Sequence, residues 1–254
     1  MILAVDIGNT NIVVGFLDKT NIIAEGRIGT DRKKTDMDFL IQLKLMLQVY
    51  SIKISDIEGS ILSSVVPEIT NEVSKALEIL LNKKPFIIGS GIKTGLNIKI
   101  DNPKTLGADR VSDAVCVIEE YKTPAIIIDM GTATTLSVID SNRNHIGGMI
   151  IPGIKTSLDS LSDHASQLPY ITLEAPKNLI GKNTVECMQS GLIYGGAAMI
   201  DGLIDRIKDE LPEEPTVIIT GGLGKLILPY SKHKLIFDKN LLLKGLYYIY
   251  KKNN

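Results

Sequence analysis

Short apolar runs that suit buried strands alternate along this chain with longer stretches whose apolar residues recur at helical spacing. The first 18 residues carry an apolar run from Ile2 to Val5, a polar stretch from Asp6 to Asn11 and a second apolar run from Ile12 to Leu17. That pattern predicts a β-hairpin with a polar turn. Phe39, Leu43, Leu47 and Tyr50 return every three or four positions between Asp38 and Tyr50, and Ile69, Val73, Leu77 and Leu80 do so further on, which predicts two amphipathic helices. Between them, Gly59 to Val66 reads as a buried strand ending at Pro67. Strands interleaved with helices indicate an α/β fold.

The pattern also repeats at long range. Ala4-Val-Asp-Ile-Gly-Asn-Thr-Asn runs into Ile12 and ends at Asp18; Ile128-Asp-Met-Gly-Thr-Ala-Thr-Thr runs into Leu136 and ends at Asp140. Each is an apolar strand, an Asp-x-Gly turn with hydroxyl or amide residues, and a second apolar strand. Two similar domains explain this better than chance does. The junction is expected near residues 118 to 123, in Glu-Glu-Tyr-Lys-Thr-Pro, giving domains 1–118 and 119–254.

Composition narrows the function classes. The 254 residues are 44% hydrophobic and 22% charged, and 28 basic against 29 acidic side chains leave a net charge of −1. Such a chain has no bulk field for a polyanion or a membrane surface, so neither nucleic acid nor membrane is expected as a partner. No apolar run approaches the roughly 20 residues of a membrane-spanning helix, and the start MILAVDIGNTN has no secretory pattern, so cytoplasm is the expected compartment. Cys116 and Cys187 form no metal-ligand spacing and are expected to be packing residues. His145, His164 and His233 lie apart from one another and from any GxSxG, which leaves a hydrolase triad unsupported.

The chemistry concentrates in glycine-rich segments. A glycine after a strand lets backbone N–H groups approach a phosphate; Asn9, Thr10, Thr132 and Thr134 add donors, and Asp6 can hold Mg²⁺ or its waters. Either turn alone is equally a hairpin held by Asx-type hydrogen bonds. Two copies in a duplicated fold suit a nucleoside triphosphate better. A third stretch, Val217-Ile-Ile-Thr-Gly-Gly-Leu-Gly224, also follows an apolar run, and Thr220, Gly221 and Gly222 can lie against adenine or ribose. None of these is a P-loop or a GxGxxG motif. Leu106-Gly-Ala-Asp-Arg-Val111 sets a carboxylate beside a guanidinium at the entry of a helical pattern, where Asp109 is either a helix N-terminal residue or a reactive group. Arg110 there can clasp a substrate carboxylate.

Taken together, Asp6-Ile-Gly-Asn-Thr-Asn, Leu106-Gly-Ala-Asp-Arg, Asp129-Met-Gly-Thr-Ala-Thr-Thr, Gly147-Gly-Met-Ile-Ile-Pro-Gly153, Asn183-Thr184 and Thr220-Gly-Gly closely resemble the type III pantothenate kinase family, from residue 1 to about 240. The resemblance implies two ribonuclease-H-like domains of the acetate and sugar kinase/Hsp70/actin superfamily with a cleft between them, and a homodimer with active sites at or near the subunit interface. It implies ATP-dependent phosphorylation of pantothenate to 4′-phosphopantothenate, the first step of coenzyme A biosynthesis, with Mg²⁺ and a monovalent cation, K⁺ or NH₄⁺.

Carried over by position, Asp6, Ile7, Gly8, Asn9, Thr10, Asn11, Ile12 and Val13 resemble the first phosphate loop, and Thr132, Gly221 and Gly222 contact nucleotide. Gly107, Ala108, Asp109 and Arg110 resemble the pantothenate-binding motif, with Asp109 as proton acceptor, and Thr184 supplies a hydroxyl to pantothenate. Asp129 matches the monovalent-cation ligand. Where the family usually has an aromatic residue before Asn-Pro this chain has Ile100, which implies an apolar contact at most. The alternatives are another small-molecule kinase of the superfamily and a non-catalytic regulator like the Bvg accessory factors. Gly191, Gly195, Ala198 and Gly202 mark either tight internal packing or a dimer helix, and lysines 232, 234, 239, 244, 251 and 252 are expected to be a solvated face.

Overall fold

The computed structural model describes residues 1–254, which divide into two compact units. The first contains Met1–Leu96, Asp101–Glu120 and Asn240–Asn254. It begins with the expected hairpin: β1 (Ile2–Ile7) pairs antiparallel with β2 (Asn11–Asp18), and β3 (Asn21–Gly29) extends the sheet beside β2. β4 (Gly59–Ser64) runs parallel to β1, and the short β5 (Phe86–Ile87) lies parallel to β4. The order across the sheet is β3-β2-β1-β4-β5.

Strand alternation divides β1 between two layers. Leu3, Val5 and Ile7 join a core with α1 (Asp36–Val49) and α2 (Pro67–Leu81), through Phe39, Leu43, Ile69, Val73 and Leu77. Helix α1 begins three residues before Phe39, the first of its apolar stripe, because Thr35 and Asp38 form a reciprocal capping box, and Pro67 starts α2 where its missing N–H is harmless. The opposite face of the sheet meets α3 (Ala108–Glu120) and α7 (Leu241–Asn253), both of which pack against β4.

The second unit comprises Asn97–Ile100 and Tyr121–Lys239. β7 (Ala125–Met130) pairs antiparallel with β8 (Ala133–Ile139), which pairs with β9 (Asn144–Pro152); β10 (Thr216–Thr220) lies parallel to β7 and β11 (Ile236–Phe237) parallel to β10. The order β9-β8-β7-β10-β11 reproduces β3-β2-β1-β4-β5 with the same directions, so the sequence repeat is a duplicated sheet. One addition, β6 (Asn97–Ile98), extends the second sheet beside β9. Ile126, Ile128, Met130, Leu136, Val217 and Ile219 form its core with α4 (Ile154–His164), α5 (Thr184–Glu210) and α6 (Gly224–Ile227). Both units have the ribonuclease-H-like strand order that the resemblance implies.

Three expectations change. The second unit is not the continuous span 119–254: the chain enters it near the expected junction, but α7 returns to the first unit. There Leu241, Leu246 and Ile249 are buried, and Gly245 lacks the Cβ that would collide with the Ser112 backbone of α3. Cys116 is buried as expected, whereas Cys187 is exposed near the start of α5. Among the six lysines, Lys244 and Lys252 are not plain solvated residues, since their Nζ atoms lie 2.7 Å from Glu120 and 2.8 Å from Glu119 in the same unit. No helix is long and apolar enough to cross a membrane.

Candidate active site

The segment expected as the first phosphate loop is mostly strand. Asp6 and Ile7 end β1 and Asn11, Ile12 and Val13 begin β2, so the turn proper is Gly8, Asn9 and Thr10. The Gly8 N–H donates to Asn11 O at 3.0 Å and closes it. Alternation sends Asp6 to the face it shares with Ile2 and Ala4, away from α1 and α2 and toward the layer that holds α3. On the parallel neighbour β4, Ser63 stands opposite Asp6.

The Gly107–Arg110 motif arrives at that same end of the sheet. A 3₁₀ turn at Pro103–Thr105 leads through the buried Leu106 to α3, whose first residues are Ala108, Asp109 and Arg110. A Cβ at Gly107 would lie 3.9 Å from Val65 Cγ1, and the Val65 N–H donates to Ile7 O at 3.0 Å. Val65 therefore links the motif to the end of β1. Asp109 is half-buried in the first turn of α3, one residue inside the start of the helix. Its Oδ1 accepts the Arg110 N–H at 2.8 Å and lies over Gly107, where any Cβ would collide with it. The bare α-carbon of Gly107 thus leaves the room in which this carboxylate rests. Burial pushes the Arg110 guanidinium pKa down, while Asp109 and Asp113 act against that shift. An arginine so placed keeps its charge, because a guanidinium does not give up its proton in proteins.

In the second unit, Asp129 occupies in β7 the place that Asp6 occupies in β1, next to last in its strand. Thr220 on β10 stands opposite Asp129, as Ser63 stands opposite Asp6. Gly221 follows with φ +86°, and a Cβ on it would collide with Asp129 Oδ1 and lie 2.6 Å from Met130 N. A Cβ on Gly131 would also be near, 3.8 and 3.9 Å from the two Asp129 oxygens. The carboxylate therefore lies close to two bare glycines, and carboxylate and carbonyl oxygens are the donors that hard cations take. The adjoining turn is held by Gly131 N–H to Ala133 O at 3.1 Å and Gly153 N–H to Thr132 O at 3.2 Å. A Cβ on Gly222 would have nothing within 4 Å, which leaves its surface open to a ligand.

The remaining residues sit on other elements. Thr184 is the first residue of α5, exposed, after the cap in which Asn183 Oδ1 accepts the Glu186 N–H at 3.0 Å. Ile100 belongs with the short strand β6 to the second unit, whereas Gly107–Arg110 belong to the first. Two residues that sequence reading missed bond the two glycine turns. Thr30 Oγ1 donates to Gly8 O at 2.7 Å, and Thr156 Oγ1 donates to Thr132 O at 2.6 Å. Single threonines at those sequence separations carry no local signal.

Comparison with known proteins agrees with the motifs. The family model for type III pantothenate kinase matches residues 2–206. The type III pantothenate kinase of Bacillus cytotoxicus is 44% identical over 253 residues, covering 100% of this chain and 97% of its own. The enzyme of the same name from Halalkalibacterium halodurans is also 44% identical, with 100% of both chains covered. In fold, the chain is similar to a protein described as a Baf family transcriptional activator from Campylobacter jejuni (TM-score 0.60, 22% identity, 99% and 98% of the two chains). It is also similar to the activator of 2-hydroxyisocaproyl-CoA dehydratase from Clostridium difficile (TM-score 0.58, 13% identity, 98% and 93%). At those identities the structural likenesses speak for the fold alone. Sequence identity over the whole chain, with the Asp-x-Gly repeat and the Gly107–Arg110 motif in place, assigns this chain to the type III pantothenate kinase family.

Proposed function

We propose that Asp109 orients the acceptor hydroxyl and takes its proton as this pantothenate kinase carries out the first step of coenzyme A biosynthesis. The observation that carries the reading is the placement of that carboxylate over Gly107, at the start of α3 and at the same sheet end as Asp6. Phosphoryl transfer asks little covalent chemistry of the protein; catalysis is positioning and neutralisation of charge. Asp109 holds the hydroxyl in line and accepts its proton as the new P–O bond forms, and the γ-phosphoryl group leaves ADP.

As a kinase the protein uses ATP and a divalent metal. The finer assignment is that Asp6, with Ile7 to Val13, receives phosphate oxygens and Mg²⁺, a metal commonly held by one or two carboxylates together with phosphates. Thr132, Gly221 and Gly222 hold the nucleotide in the second unit. Asp129, close to Gly131 and Gly221, fits a monovalent cation, K⁺ or NH₄⁺, whose charge offsets repulsion between the carboxylate and phosphate. Arg110 pairs with the pantothenate carboxylate, Thr184 bonds its polar groups, and Ile100 offers at most an apolar contact.

The active unit on this reading is a homodimer built on α5. Gly191, Gly195 and Ala198 are exposed, and a Cβ on either glycine meets nothing within 4 Å, so internal packing does not account for them. Thr184 lies seven residues before Gly191 on the same helix face, which would bring its hydroxyl to the contact. The test is a coupled assay with Mg²⁺, ATP and pantothenate, with and without K⁺. Turnover that requires pantothenate and K⁺ supports the reading; ATP turnover indifferent to pantothenate overturns it.

A further inference from the structure

The two phosphate turns are pinned from behind by the same device. In the first unit the chain leaves β3 at Gly29, and the next residue, Thr30, bonds the turn twice: its N–H donates to Thr10 O at 3.0 Å and its Oγ1 to Gly8 O at 2.7 Å. In the second unit the chain leaves β9 at Pro152. The next residue, Gly153, donates its N–H to Thr132 O at 3.2 Å, and Thr156 in the first turn of α4 donates its Oγ1 to that same oxygen at 2.6 Å. The backbone bond recurs because the strand topology is duplicated. The hydroxyl bond does not follow from topology: the threonines lie one and four residues past their strands and bond different members of the turn. Thr156 is exposed, so its side chain gains little by burial there.

A turn that receives phosphate oxygens must keep its carbonyl dipoles away from them. In a trans peptide the C=O of one residue and the N–H of the next point in opposite directions, so fixing the carbonyl fixes the amide. From this we infer that Thr30 and Thr156 are positioning residues for the nucleotide. Each holds a carbonyl, of Gly8 or Thr132, turned to the rear of its phosphate turn, and the amide of Asn9 or Ala133 is thereby turned the other way. Neither threonine is assigned a contact with pantothenate. The inference rests on the proposed assignment of these turns to ATP.

Thr30→Val and Thr156→Val remove the hydroxyl at nearly constant shape, and Thr30→Ser and Thr156→Ser restore it. For each variant, the dissociation constant of ATP by calorimetry, the KM values for ATP and for pantothenate, and the thermal midpoint without ligand are measured. Loss of one such bond raises the ATP dissociation constant and KM roughly three- to tenfold, with the pantothenate KM within about twofold of wild type, and serine recovers most of the loss. A role in stability alone would lower the midpoint and leave ATP binding unchanged, which overturns the inference. Equal rises in both KM values overturn it as well. Should Thr30→Val fail to fold, Thr156→Val on the exposed start of α4 decides the matter. Wild-type protein that binds no ATP would overturn the turn assignment itself, whereas wild type that binds ATP alongside valine variants that bind it equally well overturns only the inference.

Discussion

The Asp129 carboxylate lies where a side chain on Gly221 would have to be: a Cβ built on that glycine collides with Asp129 Oδ1 and comes within 2.6 Å of Met130 N. Gly221 also has φ +86°, a region that residues with a Cβ rarely adopt. Thr220, just before it, pairs in register with Asp129, so the strand geometry of β7 and β10 fixes this approach. A lone Thr-Gly-Gly does not say which of its two glycines matters, and the structure does.

Gly221→Ala should therefore displace the Asp129 carboxylate and destabilise the second unit by about 1–3 kcal/mol, the range for forcing an unfavourable backbone conformation. Gly222→Ala should fold normally, because its Cβ would meet nothing within 4 Å. With Asp129 as the cation ligand, Gly221→Ala and Asp129→Ala should both weaken activation by K⁺. Rates measured across a K⁺ series, with Na⁺ as the control, check this. Equal activity of the wild type in Na⁺ and K⁺ would count against the cation assignment.

A second prediction concerns pH. Burial pushes the Asp140 pKa up, but hydrogen bonds from the Asn144 side chain and from the N–H groups of Asn144 and Asn142, with Lys99 nearby, outweigh it and leave the pKa below the usual aspartate value. Asp140 Oδ1 accepts those two N–H groups at 2.8 and 2.9 Å in the β8–β9 turn. A depressed pKa gives stability that is present above the unfolded value near 4 and is lost as pH falls through the folded value. Asp140→Asn should cost about 1–2 kcal/mol at pH 7, allowing for solvent screening, and little once the native carboxyl is protonated. The difference in thermal midpoint between wild type and variant, followed from pH 7 to pH 2.5, should shrink toward zero. A difference independent of pH contradicts it.

The proposed dimer yields a third. Gly195 is exposed, and a Cβ there meets no neighbour in its own chain, so Gly195→Arg should leave the subunit folded. If α5 pairs with its copy, the bulky cation at the contact should produce monomers with reduced activity, seen by sedimentation and assay of the same sample. Fully active wild-type monomers at assay concentration would sink the claim.

Much of this was legible in the chain itself. The hairpin of β1 and β2, the strand at Gly59–Ser64, the helices around Phe39 and Ile69, and the duplication all follow from apolar spacing, because strand and helix periods differ and burial enforces them. Asp6 and Asp129 were visible as a pair because both close an apolar run before a glycine. Other relations depend on contacts distant in sequence. Helix α7 returns to the first unit through packing of Gly245 on Ser112, more than 130 residues away by the numbering, and no local pattern announces that. Thr30 and Thr156 look like any other threonine until the sheet brings each beside its turn. Cys187 resembled a packing residue by type, but it lies on the exposed side of α5.

The central claim is the role of Asp109, and Asp109→Asn tests it most directly. Asparagine keeps the side-chain shape and an oxygen to accept the Arg110 N–H, so the Gly107 turn and α3 should persist. What is removed is the negative charge that takes the proton. Thermal midpoint and nucleotide binding should stay close to wild type, with kcat lowered on the order of 10² to 10⁴, the span typical of a positioned general base. Arg110→Ala, by contrast, should act chiefly on the KM for pantothenate. If Asp109 served only the first turn of α3, its replacement would cost stability, about 0.5–2 kcal/mol, and leave turnover nearly intact. Measuring kcat and thermal midpoint on one Asp109→Asn preparation separates the two: a folded, nucleotide-binding, nearly inactive enzyme is the predicted result, and a destabilised enzyme with near-normal kcat would contradict it.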